Sequence, residues 1–258
     1  MPILSTRSRN EFEYELLDTG VFDDNRYFDA FVEYPKESPE DILIQITICN
    51  RGPEAAELHV LPTLWFRKWS WGGNADRPTL QGAGSAVKAV HPLLGERYLY
   101  CDGTATLLFT ENETNTQRIF GVPNRSPYVK DSINNYVVHG QKDAVNPEQG
   151  GTKVAAHYRV TVKPRGSQAI RLRLSKTAPG KKRPFRDFDD IMELRHKEAD
   201  EFYDTVIPRS LTADQANVMR QALAGMMWAK QFYHYDVDKW LEERGSDHFQ
   251  TRPQIRAA

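Results

Sequence analysis

The spacing of hydrophobic positions changes once along the chain. In "DILIQITICN", Asp41 to Asn50, the side chains of Ile42, Ile44, Ile46 and Ile48 share one face of a strand, and Leu43, Gln45, Thr47 and Cys49 share the other. Upstream, "RYFDAFVEY" alternates in the same way, with Phe28, Ala30, Val32 and Tyr34 on one side. "NRGPEAA" supplies turn chemistry, and "ELHVLPTLWF" predicts the next strand. "RYLYC", "ATLLFTE" and the shorter "NNYVVHG" are further strand candidates. "AAHYRVTVKP" and "QAIRLRLSK" predict a hairpin around "RGS", with Ile170, Leu172 and Leu174 on one face and arginines on the other. Many short strands separated by Gly, Pro and Asn predict a large antiparallel β-sandwich over residues 1–176.

At about Thr177 the period lengthens. "TAPGKKRPFRD" reads as a linker rich in Pro and basic residues. In "FDDIMELRHKEADEFYDTV", the residues Phe188, Ile191, Ala199, Phe202 and Val206 are predicted to form one helical stripe. Asp187, Asp189 and Asp190 suit the positive end of that helix dipole. "IPRS" ends it, closing a linker-and-helix region over 177–211. Thr212 and Gln215 then predict a capping box that opens "ADQANVMRQALAGMMWAKQFYHY". There Met219, Leu223, Met226 and the stem of Lys230 fall three or four residues apart, and the helix leads into "DVDKWLEERG". The tail "SDHFQTRPQIRAA" has no period.

Composition adds bounds. The chain has 258 residues, 40% of them hydrophobic and 27% charged, which suits a globular protein with a substantial core. A formal net charge of -1 gives no global field for nucleic acid or an acidic membrane. No apolar run reaches the length of a bilayer span, and the first residues lack a signal-peptide pattern, so a cytoplasmic protein is expected. Cys49 and Cys101 each sit in a strand-like run and are expected to be buried free thiols.

Candidate chemistry is sparse. The seven histidines show no metal-ligand spacing, there is no C-x-x-C, and neither a metal nor a cofactor is expected. Nucleotide and hydrolase-elbow motifs are absent; "GAGSA" at Gly82 reads as a loop. "LWFRKWSWGG" holds Trp65, Trp69 and Trp71, whose rings either stack on sugars or, in the alternative, leave Trp65 in the sandwich core and Trp69 and Trp71 packed where a strand meets a long loop. Asn134, Asn135 and His139 lie in a long polar stretch and are candidates for bonding hydroxyls or for packing between domains. In "KQFYHYDVDKWLEE", Tyr233, Tyr235, Asp236 and Trp240 are candidate substrate-binding residues, the alternative being an aromatic core edge with solvated aspartates. Neither Asp236 nor Asp238 has an identifiable carboxylate partner, whereas glycoside hydrolysis needs two carboxyl groups.

The strings "EFEYELLDTGVFDDNRYFDAFVEY", "PEDILIQITICNRGPEAAELHVLPTLWFR", "SPYVKDSINNYVVHGQKDAVNP" and "RQALAGMMWAKQFYHYDVDKWL" resemble bacterial members of glycoside hydrolase family 63, relatives of processing α-glucosidase. The likeness runs from about Glu11 to about Leu241. It implies an N-terminal β-sandwich followed by an (α/α)6 catalytic barrel. It also implies an inverting hydrolase of α-linked glucosides or related oligosaccharides, with an Asp as general acid and a Glu as general base. The family's acid follows a Trp, and no Trp-Asp pair occurs here. On this resemblance the chain is expected to be an internal piece: most of the sandwich, a linker helix, and the first helix of an incomplete barrel over 212–258, with an unrelated tail from about residue 242. No catalytic residue is assigned within it, and its implied partners are a glucoside or oligosaccharide substrate and the rest of the barrel. The competing expectation is a non-catalytic β-sandwich that binds carbohydrate or protein.

Overall fold

The alternation around "DILIQITICN" becomes the longest strand of the larger of two antiparallel sheets. The structure, a computed structural model, describes residues 10, 12–66, 77–84, 86–180, 183–229, 236–243 and 245. Its strands are β1 (Phe28–Glu33), β2 (Lys36–Ser38), β3 (Asp41–Asn50), β4 (Ala56–Val60), β5 (Thr63–Trp65), β6 (Thr79–Ala83), β7 (Ala86–His91), β8 (Gly95–Cys101), β9 (Thr106–Thr110), β10 (Gly150–Gly151), β11 (Lys153–Val162) and β12 (Ser167–Ser175). The helices are α1 (Thr116–Phe120), α2 (Ser132–His139), α3 (Phe188–Val206), α4 (Ala213–Ala229) and α5 (Val237–Glu243). Among the described residues, more lie in strands than in helices, and the protein is mainly β.

The larger sheet runs β1-β3-β12-β8-β7-β6-β10, with β2 also on β3. In the smaller sheet β4, β5 and β9 all pair with β11. Val60 faces Tyr158 and Thr63 faces Ala155, so register is kept from β4 to β5. The two are halves of the one strand predicted from "ELHVLPTLWF", interrupted at Pro62, which has no N–H to give to a ladder. The inward residues of both sheets share one apolar layer. Ile46, Ile48, Leu99, Ile170 and Leu172 come from the larger sheet; Phe109 and alternate residues of β11 from Val154 to Val162 come from the smaller.

Three expectations are corrected. First, β11 and β12 do not pair as a hairpin: β11 is the centre of the smaller sheet, and β12 lies between β3 and β8 in the larger. Both strands turn an apolar face to the same core, so the bend at 163–166 carries the chain across the core, from one sheet to the other. Second, "NNYVVHG" is helical, within α2. Ile133, Tyr136 and Val137 recur at helical spacing and pack on Leu108, Val145 and Ala155, and Gly140 closes the helix in the left-handed region at φ 67°. Third, Phe202 and Val206 of the predicted stripe are exposed, and Tyr203 is the buried residue on that part of α3.

Leu43 lies on the outer face of β3 yet is fully buried, because Phe188, Ile191 and Met192 of α3 close over it. His196 adds a 2.7 Å contact to Glu33. The β unit consequently runs on to His196, and a second compact unit covers Lys197–Ala258. In the second unit Thr212 and Gln215 form the expected reciprocal cap: the Thr212 N–H donates to Gln215 Oε1 at 3.0 Å, and the Gln215 N–H donates to Thr212 Oγ1 at 3.3 Å. Met219 and Leu223 are half-buried on α4, whereas Met226 is exposed. Lys230 lies outside the described residues. Cys49 and Cys101 are free thiols, both only partly buried. Among the described residues, no helix is long and apolar enough to cross a membrane.

Candidate functional site

Of the aromatic candidates, Trp69, Trp71, Tyr233 and Tyr235 lie outside the described residues. Asp236 is a helix cap: its Oδ1 accepts the Lys239 N–H at 3.1 Å, and its carbonyl accepts the Trp240 N–H at 3.0 Å. Trp240 lies on α5 and is partly exposed. Asn134, Asn135 and His139 are on α2, with Asn134 and His139 exposed.

Among the described residues, two pairs of carboxylates converge, each around an arginine. Arg173 is buried and reaches Asp41 through Nε and Nη2, and Asp187 and the Pro184 carbonyl through Nη1. Burial opposes its charge, but the hydrogen bonds and fields of the two carboxylates outweigh that and hold the guanidinium above its ordinary range. Arg77 Nη2 donates to Glu111 at 2.7 Å and to Glu113 at 2.9 Å, and the Thr152 hydroxyl donates to Glu111 at 2.6 Å. A guanidinium occupies the space between the members of each pair.

A histidine pair was not legible from the sequence. His59 of β4 and His157 of β11 are 98 residues apart in sequence, and their rings stack with Nδ1 of His59 2.7 Å from Nε2 of His157. Strand register makes the contact, because His59 lies directly opposite Arg159, two residues from His157. Glu57 lies 3.8 Å from His59 and takes a 2.7 Å bond from Arg159, while Tyr136 of α2 meets the His157 ring edge-on. Burial, then the neighbouring His59 and Arg159, push the His157 imidazole below its usual range. Two bare imidazoles in direct contact form a hydrogen bond between one N–H and one lone pair. Among the described residues, no cluster of three or more His, Cys, Asp or Glu side chains could hold a metal ion.

Two clefts remain. One of about 530 Å³ lies where α3 gives way to α4, and includes Tyr203, Asn217 and Arg220. There Arg220 is already engaged, with Nη1 2.6 Å from Asp200 and its guanidinium stacked over the Tyr203 ring. The other, of about 440 Å³, lies at one end of the larger sheet and is lined by Tyr27, Cys49, Arg51, Arg165 and Ser167 among others.

No protein-family profile matches the sequence. An uncharacterized protein of Saccharomyces cerevisiae is 32% identical over 294 aligned positions, which take in 96% of this chain and 27% of the yeast protein. The chain thus spans about a quarter of the length of the relative it matches.

Proposed function

We propose that the chain is the sugar-hydrolase β-sandwich and first barrel helix of a family 63-like α-glucosidase, acting on α-linked glucosides or related oligosaccharides. The observation that carries the reading is the order of parts. A two-sheet antiparallel unit is followed, through an anchored helix, by a second helix opened with its own capping box. That is the order of the resembled family at the passage from sandwich to (α/α)6 barrel. On this reading the general acid and general base come from outside these residues, in keeping with carboxylate pairs that are already occupied by Arg173 and Arg77. The chain's own role is to carry the barrel and to border its pocket near α5.

The experiment is a paired assay on aryl α-glucosides and small α-linked disaccharides, using the purified chain and the full-length yeast relative. Turnover by the yeast protein and none by this chain is the expected result. Turnover by this chain at enzymatic rates overturns the assignment of the carboxylates elsewhere. Inactivity of both, together with saturable sugar binding by this chain, favours a non-catalytic binding module.

A further inference from the structure

The cleft at the end of β1, β3 and β12 has a chemistry of its own. Asp29, Cys49 and Ser167 are paired in register across the three strands, Asp29 opposite Cys49 and Cys49 opposite Ser167, so the three share the outer face of the larger sheet. Around that row stand Asn25 and Tyr27 before β1, Arg51 after β3, and Arg165 in the bend before β12. The floor is rigid. The side chain of buried Asn50 donates to the carbonyls of Glu54 and Val162 and accepts the Gly52 N–H, which ties the Arg51 loop to the sheet. Arg51 donates through Nε to Asp29 at 2.6 Å, and its backbone N–H donates to the Tyr27 carbonyl.

Arg165 is the exception to this ordered pairing. Arg51 has Asp29 and the nearby Arg26 has Glu54, whereas no carboxylate among the described residues pairs with the Arg165 side chain. Its backbone sits at φ 52°, a left-handed conformation that a residue with a side chain adopts at a cost and that glycine adopts freely. Asn25, on the opposite side of the cleft, is likewise left-handed at φ 55°. The bend therefore spends conformational strain to present a guanidinium at the cleft, where glycine would turn the chain more easily.

We propose that this cleft binds a small ligand bearing one oxyanion, a carboxylate or a phosphate, between Arg165 and Arg51. A guanidinium fork matches the planar oxygens of either group, and Ser167, Asn25 and Tyr27 supply hydroxyl and amide partners for a polar remainder. The volume of about 440 Å³ accommodates a molecule of monosaccharide size. The site is independent of any hydrolytic role for the chain.

The test is calorimetric titration of the purified chain with inorganic phosphate, glucose 6-phosphate, glucuronate and glucose, repeated on Arg165→Gly and Arg165→Lys. Saturable binding of at least one anion, weakened tenfold or more by Arg165→Gly and only in part restored by lysine, is the expected result. The Arg165→Gly protein should melt at or above the parent temperature, which separates loss of the site from loss of the fold. Preference for glucose 6-phosphate assigns a phosphate-bearing ligand, preference for glucuronate a carboxylate, and equal response to inorganic phosphate a bare oxyanion site. Absence of saturation by every anion, binding of glucose as tight as of the anions, or affinity unchanged in Arg165→Gly overturns the proposal.

Discussion

Arg173 and Asp41 stand 132 residues apart in sequence and meet through two parallel hydrogen bonds, Nε to Oδ1 at 2.7 Å and Nη2 to Oδ2 at 2.9 Å. The remaining arm of the same guanidinium reaches Asp187 and the Pro184 carbonyl. One side chain therefore fixes the segment before α3 to the outer face of the larger sheet. Replacing it with Met strands two carboxylates in a poorly solvated place. Arg173→Met should cost about 3–5 kcal/mol of unfolding free energy. Arg173→Lys should recover only part of this, since an ammonium has no fork for Asp41. Urea titration measures both; a loss below about 1 kcal/mol for Arg173→Met would mean that the network contributes little.

Gly151 should tolerate no side chain. A methyl group there would lie 2.3 Å from the Thr110 carbonyl oxygen, a backbone atom with no freedom to swing away. Gly151→Ala is expected to destabilise by about 2 kcal/mol or more, through displacement of β9 from the start of β11. Thermal melting is sufficient to measure it, and an unchanged midpoint would contradict the packing described.

His157 sets a pH dependence. Its folded form resists protonation because of burial, then His59 and Arg159. The unfolded chain takes up the proton at the ordinary histidine pKa of about 6.5, so stability is full above that value and falls as the pH drops through it toward the lower, folded value. The urea midpoint should decline between pH 7.5 and 5, and the decline should be shallower in His157→Gln. Parallel pH profiles for the two proteins would remove His157 as the cause.

The Cys101 thiol should be slow to react. Burial pushes it up to about 11, against a smaller opposing hydrogen bond from Tyr158. At pH 8 only about a thousandth of it is thiolate. A disulfide-exchange reagent should titrate Cys101 in the folded chain far more slowly than in denaturant. The same shift makes stability fall as the pH rises above the ordinary thiol range. Rapid reaction of two thiols per native chain would be inconsistent with this environment.

What the sequence revealed follows from the range of the interactions involved. The isoleucines of β3 and the Thr212–Gln215 cap are local patterns, set by residues within a few positions of each other, and both stand in the structure as read. The failures are long-range. Val160 and Leu172 alternate as any hairpin would, and nothing in that alternation says that the two strands face each other across a core instead of pairing edge to edge. "NNYVVHG" is short enough to suit either period, and the apolar ledge of Leu108 and Ala155 decides for helix. The candidate cleft was missed for the same reason. Arg51 and Arg165 carry no spacing signal, and only the pairing of Cys49 with Ser167 brings them to one end of the sheet.

The passage of the chain from β11 to β12 has a bearing on synthesis. Each is the strand on which its sheet depends: β11 holds β4, β5 and β9, and β12 joins β3 to β8. Until β11 is made, β4, β5 and β9 have no strand to pair with, and until Ser175 is reached β1 and β3 on one side and β6, β7 and β8 on the other lack the strand that joins them. A nascent chain halted before that point presents open strand edges to its surroundings. Closure of both sheets then waits on one late segment, which makes folding slow and places the demand for chaperone protection on the growing polypeptide while it is still attached to the ribosome.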